Sequence, residues 1–183
     1  IENRDKLARL RIAKTLEQIL QTVDWRYLGT TLKGNSLTAK VSHVADKIYP
    51  NCPCVHNELI NRMKLSGTAS SALNKLMLAM LDEDSEEQLG LPTETFPPEK
   101  GIYLSCLKAK GWHTPELTPS FAARWLDRKS SGDLPAAERD VYELWRAGYG
   151  FIKARGDLVV IKELYEFWMS PPFGLTLGLC KLY

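Results

Sequence analysis

The sequence predicts a mainly α-helical fold, a helical bundle that contains winged-helix-like helix-turn-helix units. Apolar residues recur three and four positions apart in several segments, which is the period of an amphipathic helix. Proline, glycine and serine stand between these segments and separate them by short turns. The alternation of apolar and polar residues that marks a half-buried strand is hard to find. These observations favour helices packed on helices.

We expect three regions along the 183 residues. Residues 1–35 are predicted to form an N-terminal helix and linker, and residues 36–132 a winged-helix-like helical domain. Residues 133–183 are predicted to begin a second helix-turn-helix unit that is incomplete. The chain lacks a starting Met and stops within an apolar stretch, so we expect it to be a piece of a larger protein.

The first segment, Asn3 to Val23, is predicted to be an amphipathic helix, which Gly29 and the cluster Lys33-Gly34-Asn35 follow as breakers. Its apolar residues fall on one side, and they are Leu7, Leu10, Ile12, Leu16, Ile19, Leu20 and Val23.

The second region is predicted to hold three helices in quick succession. Ser36 is a good N-cap for a helix that Pro50 and Pro53 end. A short helix should run from Val55 to Met63, and Thr68 should cap a third helix that reaches Leu81. The stripe of this third helix is Ala69, Ala72, Leu73, Leu76, Met77 and Met80. Three helices with short turns match the core of a winged-helix unit.

In the rest of the second region, proline and glycine predict where the elements begin and end. Pro97-Pro98-Glu99 opens a helix that Gly111 ends, because proline suits a first turn and glycine a C-terminal stop. Its apolar face is Ile102, Tyr103, Cys106 and Leu107. Residues 112–134 are predicted to be a loop with a helical turn near residues 121–126. Wing-like strand pairs are expected near Leu89–Leu91 and Trp112.

The last region is predicted to contain three helices. The first runs from Asp133-Leu134-Pro135 to Ala154 and ends at Gly156. The next, with the pattern Ile161, Leu164, Tyr165 and Trp168, ends at Pro171-Pro172. The segment from Pro171 to Leu175 is then predicted to be a turn before a final helix.

Composition excludes several classes of protein. Hydrophobic residues make up 44% and charged residues 25%, which is the balance of a globular domain. No run of about 18 apolar residues is present, so we expect no membrane span. The charged N-terminus lacks the apolar core of a signal peptide, and four cysteines do not make a disulfide scaffold. We therefore predict a cytoplasmic protein without membrane partners.

The charge is unevenly distributed along the chain. Residues 1–80 carry 12 Lys and Arg against 6 Asp and Glu, whereas residues 81–140 carry 7 against 12. A basic first part permits a nucleic-acid surface, and solvated helix faces explain the same pattern.

The sequence contains no complete catalytic motif, so we expect neither enzymatic activity nor a cofactor. A phosphate-binding loop ending in Gly-Lys-Ser/Thr is missing, and so is Gly-x-Gly-x-x-Gly. His43, Cys52, Cys54 and His56 are zinc-type ligands, but Cys-x-Cys lacks the usual ligand spacing, and we predict no metal. An enzyme that uses Cys54, His56 and Glu58 is a remaining alternative.

The candidate DNA-binding site follows the predicted short helix. Small hydroxyls and exposed N–H groups at a helix N-terminus are good phosphate partners, and basic side chains flank them here. The site consists of Arg62, Lys64, Ser66, Thr68, Asn74 and Lys75. The alternative is a well-capped helix in which Arg62 pairs with Glu58 four residues earlier.

An ordered set of short strings resembles one family over roughly residues 5–183. The strings are Ile48-Tyr49-Pro50, His56-Asn57-Glu58-Leu59-Ile60-Asn61-Arg62, Lys64-Leu65-Ser66, Leu78-Ala79-Met80-Leu81, Leu89-Gly90, Phe96-Pro97-Pro98-Glu99, Ile102-Tyr103, Gly111-Trp112-His113, Pro171-Pro172-Phe173-Gly174-Leu175 and Gly178. They resemble the non-catalytic region of large ATPases from bacterial anti-phage systems, the BREX-type ATPases and their phosphorothioation-linked relatives.

The resemblance implies a parent protein with an AAA-like nucleotide-hydrolysing module outside this chain. It also implies winged-helix-like domains that contact DNA or other defence-system subunits. The leading hypothesis is therefore a non-catalytic DNA-binding or assembly module of a defence ATPase. The alternative is a scaffold that docks other defence subunits through the helices after Pro97, without nucleic-acid contact.

Overall fold

The computed structural model describes residues 2–32, 36–116, 121, 134–156 and 158–183. Within these residues the chain is mainly helical, as predicted, and the sheet consists of two short strands. The helices are α1 (Glu2–Thr22), α2 (Leu37–Ile48), α3 (Gly67–Asp82), α4 (Pro98–Ile102), α5 (Ala136–Arg155), α6 (Ile161–Met169) and α7 (Leu177–Leu182). The shorter elements are strands β1 (Arg26–Tyr27) and β2 (Thr30–Thr31), a 3-10 turn (Glu87–Gly90), and a π-helical segment (Tyr103–Lys108) that continues α4.

The chain divides into two compact units, residues 1–50 and 51–183. The predicted division differs, because it places α2 in one domain with α3. The second predicted boundary, between residues 132 and 133, lies outside the described residues.

The first unit contains α1, the β1–β2 hairpin and α2. Leu28 and Gly29 connect the strands with φ angles of 48° and 77°, and such left-handed pairs match the twist of a two-residue hairpin. The buried Lys40 of α2 donates from Nζ to the carbonyl oxygens of Gln21 and Val23, 3.4 and 3.0 Å away. A cation at these carbonyls offsets the unpaired acceptors at the end of α1. The predicted linker thus contains a hairpin.

In the second unit, the described helices all contribute to one apolar core. The side chains that are at most 1% exposed include Ile60, Leu73, Leu76, Leu89, Ile102, Leu107, Val141 and Leu144. The predicted face of the fourth helix is buried, namely Ile102, Tyr103, Cys106 and Leu107. Gly111 follows with a φ of +59°. The cap of α3 is Ser66, whose Oγ accepts from the Ala69 N–H, and not Thr68 as predicted.

The predicted helix from Val55 to Met63 is wrong, because this segment forms an irregular turn. Asn57 Oδ1 accepts from the N–H groups of Leu59 and Ile60 at 3.1 and 3.4 Å, so a side chain replaces the helical acceptor. The N–H of Gly178 in α7 donates to the Arg62 carbonyl at 3.2 Å. A contact to a residue more than a hundred positions away thereby fixes the path of the turn.

The winged-helix arrangement is not confirmed. In the described residues, α2 and α3 belong to different units and no helix lies between them. The predicted strand near Leu89–Leu91 is a 3-10 turn instead, while His113 forms an isolated bridge with Phe121. Most of the predicted loop at 112–134, including residues 122–126 of its predicted helical turn, lies outside the described residues.

The C-terminal helices agree with the prediction. Gly156, with a φ of +91°, separates α5 from α6, and the segment from Pro171 to Leu175 is a turn between two helices. Asp133, where this region was predicted to start, lies outside the described residues. None of the described helices combines the length and the apolar character that crossing a membrane requires.

Candidate interaction surfaces

The six predicted DNA-binding residues are all exposed, and they lie along the turn before α3 and the first nine residues of that helix. We call the stretch from Arg62 to Lys75 the basic segment. Arg62 and Lys64 lie in the turn, and Ser66 is the helix cap. The hydroxyl of Ser66 already accepts from the Ala69 N–H at 3.2 Å. Its role is therefore structural, whatever else binds nearby.

Helix geometry separates the predicted residues on α3. At 3.6 residues per turn, Thr68 and Lys75 are seven positions apart and share one face. Asn74 lies roughly 100° around the axis from Lys75. The structure therefore brings Thr68 and Lys75 onto one line and places Asn74 beside it.

The two basic side chains at the ends of this segment already have partners. Arg62 Nε donates to the backbone carbonyl of Glu58 at 2.7 Å, rather than to the carboxylate that the sequence suggested. Lys75 Nζ lies 3.6 Å from Glu99 Oε1, while 64% of the Lys75 side chain remains exposed. A surface pair of this kind contributes about 0–1 kcal/mol. Both cations can consequently approach a phosphate without breaking the fold.

Asp140 at the start of α5 joins three parts of the second unit. Its Oδ2 accepts from Lys110 Nζ at 2.6 Å and from the Cys54 N–H at 2.7 Å. Its Oδ1 accepts from the Val141 N–H at 2.7 Å. The side chain of Lys110 is 8% exposed and that of Asp140 22%, so the pair is largely desolvated. This network holds the Cys54 segment against α5.

The zinc-type side chains do not assemble into a metal site in the part of the chain that the structure describes. No group of three or more His, Cys, Asp or Glu side chains is placed there to hold an ion. Cys54 Sγ lies 3.3 Å from His56 Nε2, and both residues are exposed.

A second surface, which the sequence did not indicate, lies between the three C-terminal helices. We call it the groove, and it encloses about 320 Å³. Its lining residues come from α5, α6, α7 and the C-terminal residue, and they are Trp145, Gly148, Tyr149, Ile152, Ile161, Leu164, Tyr165, Trp168, Cys180, Lys181, Leu182 and Tyr183.

Gly148 allows the helices beside the groove to approach closely. A Cβ atom at this position would lie 2.8 Å from Cζ2 of the Trp168 ring. The indole N–H groups of Trp145 and Trp168 are buried, and neither has a hydrogen-bond partner among the described residues. An unpaired buried donor costs about 1–3 kcal/mol. Close packing around the groove therefore leaves these two indole N–H groups without hydrogen-bond partners among the described residues.

Apolar side chains continue from the groove onto the open surface. Tyr149, Ile152 and Ile161 line the groove and are 46%, 39% and 58% exposed. Leu158 and Val160, in the connection between α5 and α6, are more exposed still. A single exposed apolar side chain is ordinary, but a contiguous set marks an interaction site.

The charges around the groove are mainly positive. Arg155 pairs with Glu163, and Lys162 pairs with Glu166. Lys153 lies over the Tyr149 ring at 5.3 Å, and Lys181 lines the groove. Within the described residues, neither of these two lysines forms an ion pair with a carboxylate. The groove therefore favours an apolar partner that carries acid groups.

The buried thiols and the C-terminal tyrosine show how dry this end of the unit is. Burial raises the pKa of Cys180 to about 12, and that of Cys106 to about 11. Burial is also the main cause that raises the pKa of Tyr183, whose hydroxyl donates to the Cys106 carbonyl at 3.1 Å. The groove thus adjoins a desolvated core.

Sequence reasoning missed the groove because the period of an apolar pattern does not show which helix faces stay uncovered in the fold. The signal was the width of the apolar face, since Tyr149 and Ile152 extend the stripe of Val141, Leu144 and Trp145. It also missed Asp140, whose partners lie 30 and 86 positions away.

Comparisons with protein-family models, with curated proteins and with solved structures find no significant match to this chain. The resemblance to defence ATPases therefore stays a prediction that rests on the ordered strings.

Proposed function

We propose that this chain is a non-catalytic assembly module of a bacterial anti-phage defence ATPase, which docks an apolar segment of another defence subunit in the groove. The observation that carries the docking is the contiguous apolar surface of α5, α6 and α7. The parentage rests on the resemblance alone.

The partner segment is an amphipathic helix with acidic residues on its flanks. The groove is open along the exposed side chains of Tyr149, Ile152 and Ile161, so a chain segment fits it better than a small molecule. Helical partners commonly bind such grooves through an apolar face. Lys153 and Lys181 then meet the acidic flanks, which gives charge complementarity and orientation.

Two synthetic helical peptides test the docking. Both carry the same Leu and Ile face, and one has Glu and the other Lys on the flanking positions. We expect the Glu peptide to bind at least about tenfold more tightly, a difference of about 1.4 kcal/mol. Ile161→Glu should abolish its binding, and Lys181→Glu should shift the preference toward the Lys peptide.

The matched control is Leu81→Glu on α3, an apolar residue that is 78% exposed and lies outside the groove. This variant should bind the Glu peptide as the unchanged chain does. Equal binding of both peptides, or no effect of Ile161→Glu, would remove the groove as a docking site. For the parentage, the decisive observation is a Walker A motif in the coding sequence upstream.

DNA binding by the basic segment is a second candidate, which a specific observation favours. Arg62, Lys64 and Thr68 are exposed around the N-terminus of a 16-residue helix, where backbone N–H groups and the helix dipole attract phosphate, and Lys75 lies two turns further along the face of Thr68. These contacts would be to the DNA backbone, so binding would be tolerant of sequence and sensitive to salt.

A further inference from the structure

The exposed cysteine pair in the irregular turn has features of a reactive thiol site. Cys54 Sγ lies 3.3 Å from His56 Nε2, within hydrogen-bond range for sulfur, and both side chains are open to solvent. A thiolate is the reactive form of cysteine, and a neighbouring imidazole can take the thiol proton and stabilise the anion. This geometry activates one sulfur of the pair.

The backbone around Cys54 is held in place by the fold. Its N–H donates to Asp140 Oδ2 at 2.7 Å, and the Val55 N–H donates to the Pro53 carbonyl at 3.0 Å. The turn therefore has a fixed conformation in which Cys54 and His56 meet, instead of depending on a chance approach of two mobile side chains.

Cys52 differs from Cys54 in its surroundings. Its Sγ donates a weak bond to the Pro53 carbonyl at 3.8 Å. Burial raises the pKa of Cys52 above its ordinary value, and the negative charges of Cys54 and Asp140 add to this effect. These surroundings favour the protonated form of Cys52, whereas Cys54 has an imidazole beside its sulfur. One residue separates Cys52 from Cys54, so their Cα atoms are at most about 7 Å apart, which is the upper limit for a disulfide without backbone movement.

A polar cavity of about 390 Å³ adjoins His56. Its lining consists of Val55, His56, Asn57, Glu58, Asn61 and Arg62. The Asn57 amide is already bonded to Gly101 and Ser105, and Arg62 Nε to the Glu58 carbonyl. The Asn61 amide N–H and the Arg62 Nη groups can hold the carboxylates of a small polar molecule next to the His56 ring, and the Glu58 carboxylate suits its ammonium group. A small peptide-like disulfide fits this chemistry better than a bulky apolar one.

We propose that Cys54 exchanges with low-molecular-weight disulfides of the glutathione type, with His56 as its base and Cys52 as the resolving thiol. In the first step the Cys54 proton passes to His56, and the thiolate attacks one sulfur of the disulfide. A mixed disulfide forms, and one thiolate leaves and takes up the proton. In the second step Cys52 loses its proton to the solvent, and its thiolate attacks Cys54 Sγ. The S–S bond to the small molecule breaks, and the departing thiolate takes up a proton and leaves as the second thiol. The small disulfide is reduced to two thiols, and Cys52 and Cys54 are oxidised to one disulfide.

The experiment treats the reduced chain with glutathione disulfide and follows each cysteine by intact mass and peptide mapping. The unchanged chain should form the Cys52–Cys54 disulfide and retain no glutathione. Cys52→Ser should retain one glutathione on Cys54, because nothing resolves the mixed disulfide. Cys54→Ser should react about tenfold more slowly or not at all.

His56→Gln separates activation by the imidazole from simple exposure. Its reaction at neutral pH should be about tenfold slower, and the difference should shrink near pH 10, where thiols ionise without a base. Cys106 and Cys180 are at most 1% exposed, so they report unfolding within the same sample. If Cys106 or Cys180 reacts in His56→Gln, that variant is unfolded, and His56→Asn is used in its place.

Three results would overturn the proposal. The first is equal reaction rates for Cys52→Ser and Cys54→Ser, and the second is no trapped adduct in Cys52→Ser. The third is a rate in folded His56→Gln that equals that of the unchanged chain at both pH values.

Discussion

The groove and the basic segment are two exposed surfaces of one unit, and they are built in opposite ways. Packed helices form the groove, and its exposed apolar side chains gain nothing from facing water. Hydrogen bonds to an irregular backbone hold the turn of the basic segment, and its charged side chains are solvated without cost. A set of exposed apolar side chains therefore indicates a binding partner, whereas exposed charged side chains are ordinary on a protein surface. For this reason the groove carries our main proposal.

The largest expected effect on stability is at Gly178, where α7 packs against the turn that leads into the basic segment. A Cβ atom on Gly178 would lie 2.0 Å from the Ile60 carbonyl oxygen, which is backbone and cannot move aside. Gly178→Val should therefore lower the free energy of unfolding by about 3 kcal/mol or more. Gly150→Ala is the control, since nothing lies near its Cβ position, and it should stabilise α5 by about 0.5–1 kcal/mol. Denaturant unfolding measures both variants. If Gly178→Val lowers the free energy of unfolding by less than about 0.5 kcal/mol, as an ordinary surface substitution does, then α7 does not anchor the turn.

The next effect concerns the packing of the groove itself. A methyl group at Gly148 would meet the Trp168 ring at 2.8 Å, but an aromatic side chain can shift. Gly148→Ala should consequently cost about 1–3 kcal/mol, less than the change at Gly178. The substitution should also weaken binding of the Glu peptide, because Trp168 lines the groove. Unchanged peptide affinity, together with a measurable loss of stability, would show that the groove is only a packing defect.

Alkaline pH tests how dry the core beside the groove is. The pKa of Cys106 rises from 9.0 to about 11 in the folded chain, so between these values the unfolded chain loses this proton and the folded chain keeps it. Stability is therefore full below pH 9 and falls as the pH rises toward 11, by up to about 1.4 kcal/mol per pH unit for this thiol. Chemical unfolding of the chain and of Cys106→Ala at several pH values measures the difference. A slope that Cys106→Ala leaves unchanged would contradict burial of the protonated thiol.

The smallest effect on stability is expected at the basic segment. Replacing Arg62, Lys64 and Lys75 with Glu should change the free energy of unfolding by less than about 1 kcal/mol, because the core of α3 is untouched. If DNA binds here, the triple variant should lose sequence-tolerant binding. Each lost phosphate contact should reduce the slope of log affinity against log salt by about 0.9.

Single variants complete that test. A structural role for Arg62 predicts that Arg62→Glu alone lowers the melting temperature, since its Nε holds the Glu58 carbonyl. DNA affinity that is unchanged in the folded triple variant would remove this surface as a DNA site and leave the groove as the proposed interaction surface.

Most of the signals that act over a few residues were read correctly, with the cap of α3, Ser66 instead of Thr68, as an exception. The cap at Ser36, the proline before α4 and the glycines at 111 and 156 each act within a few residues, so the pattern alone located these boundaries. The same logic failed at residues 55–63, where good helical spacing lost to the Asn57 side chain and to Gly178. Local propensity is a weak preference that a few tertiary hydrogen bonds can override.

The candidate sites divide in the same way. The sequence identified the cations of the basic segment, because exposure follows from their chemistry. It could not distinguish these cations from Lys40 and Lys110, which look alike in the sequence but are buried against carbonyl and carboxylate partners. Nor could it find the groove, whose lining depends on which faces of three helices remain uncovered.

By itself, the sequence determined the helical class of this protein, most helix boundaries and the absence of a phosphate-binding loop from its 183 residues. Each of these depends on residues that are close in the chain, and hydrophobic period and capping encode them directly. Only the tertiary structure decided the turn at residues 55–63, the Cys54–His56 contact and the groove. These depend on contacts between distant residues, such as Gly178 with Arg62 and Asp140 with Cys54, whose formation requires that the core has already brought the helices together.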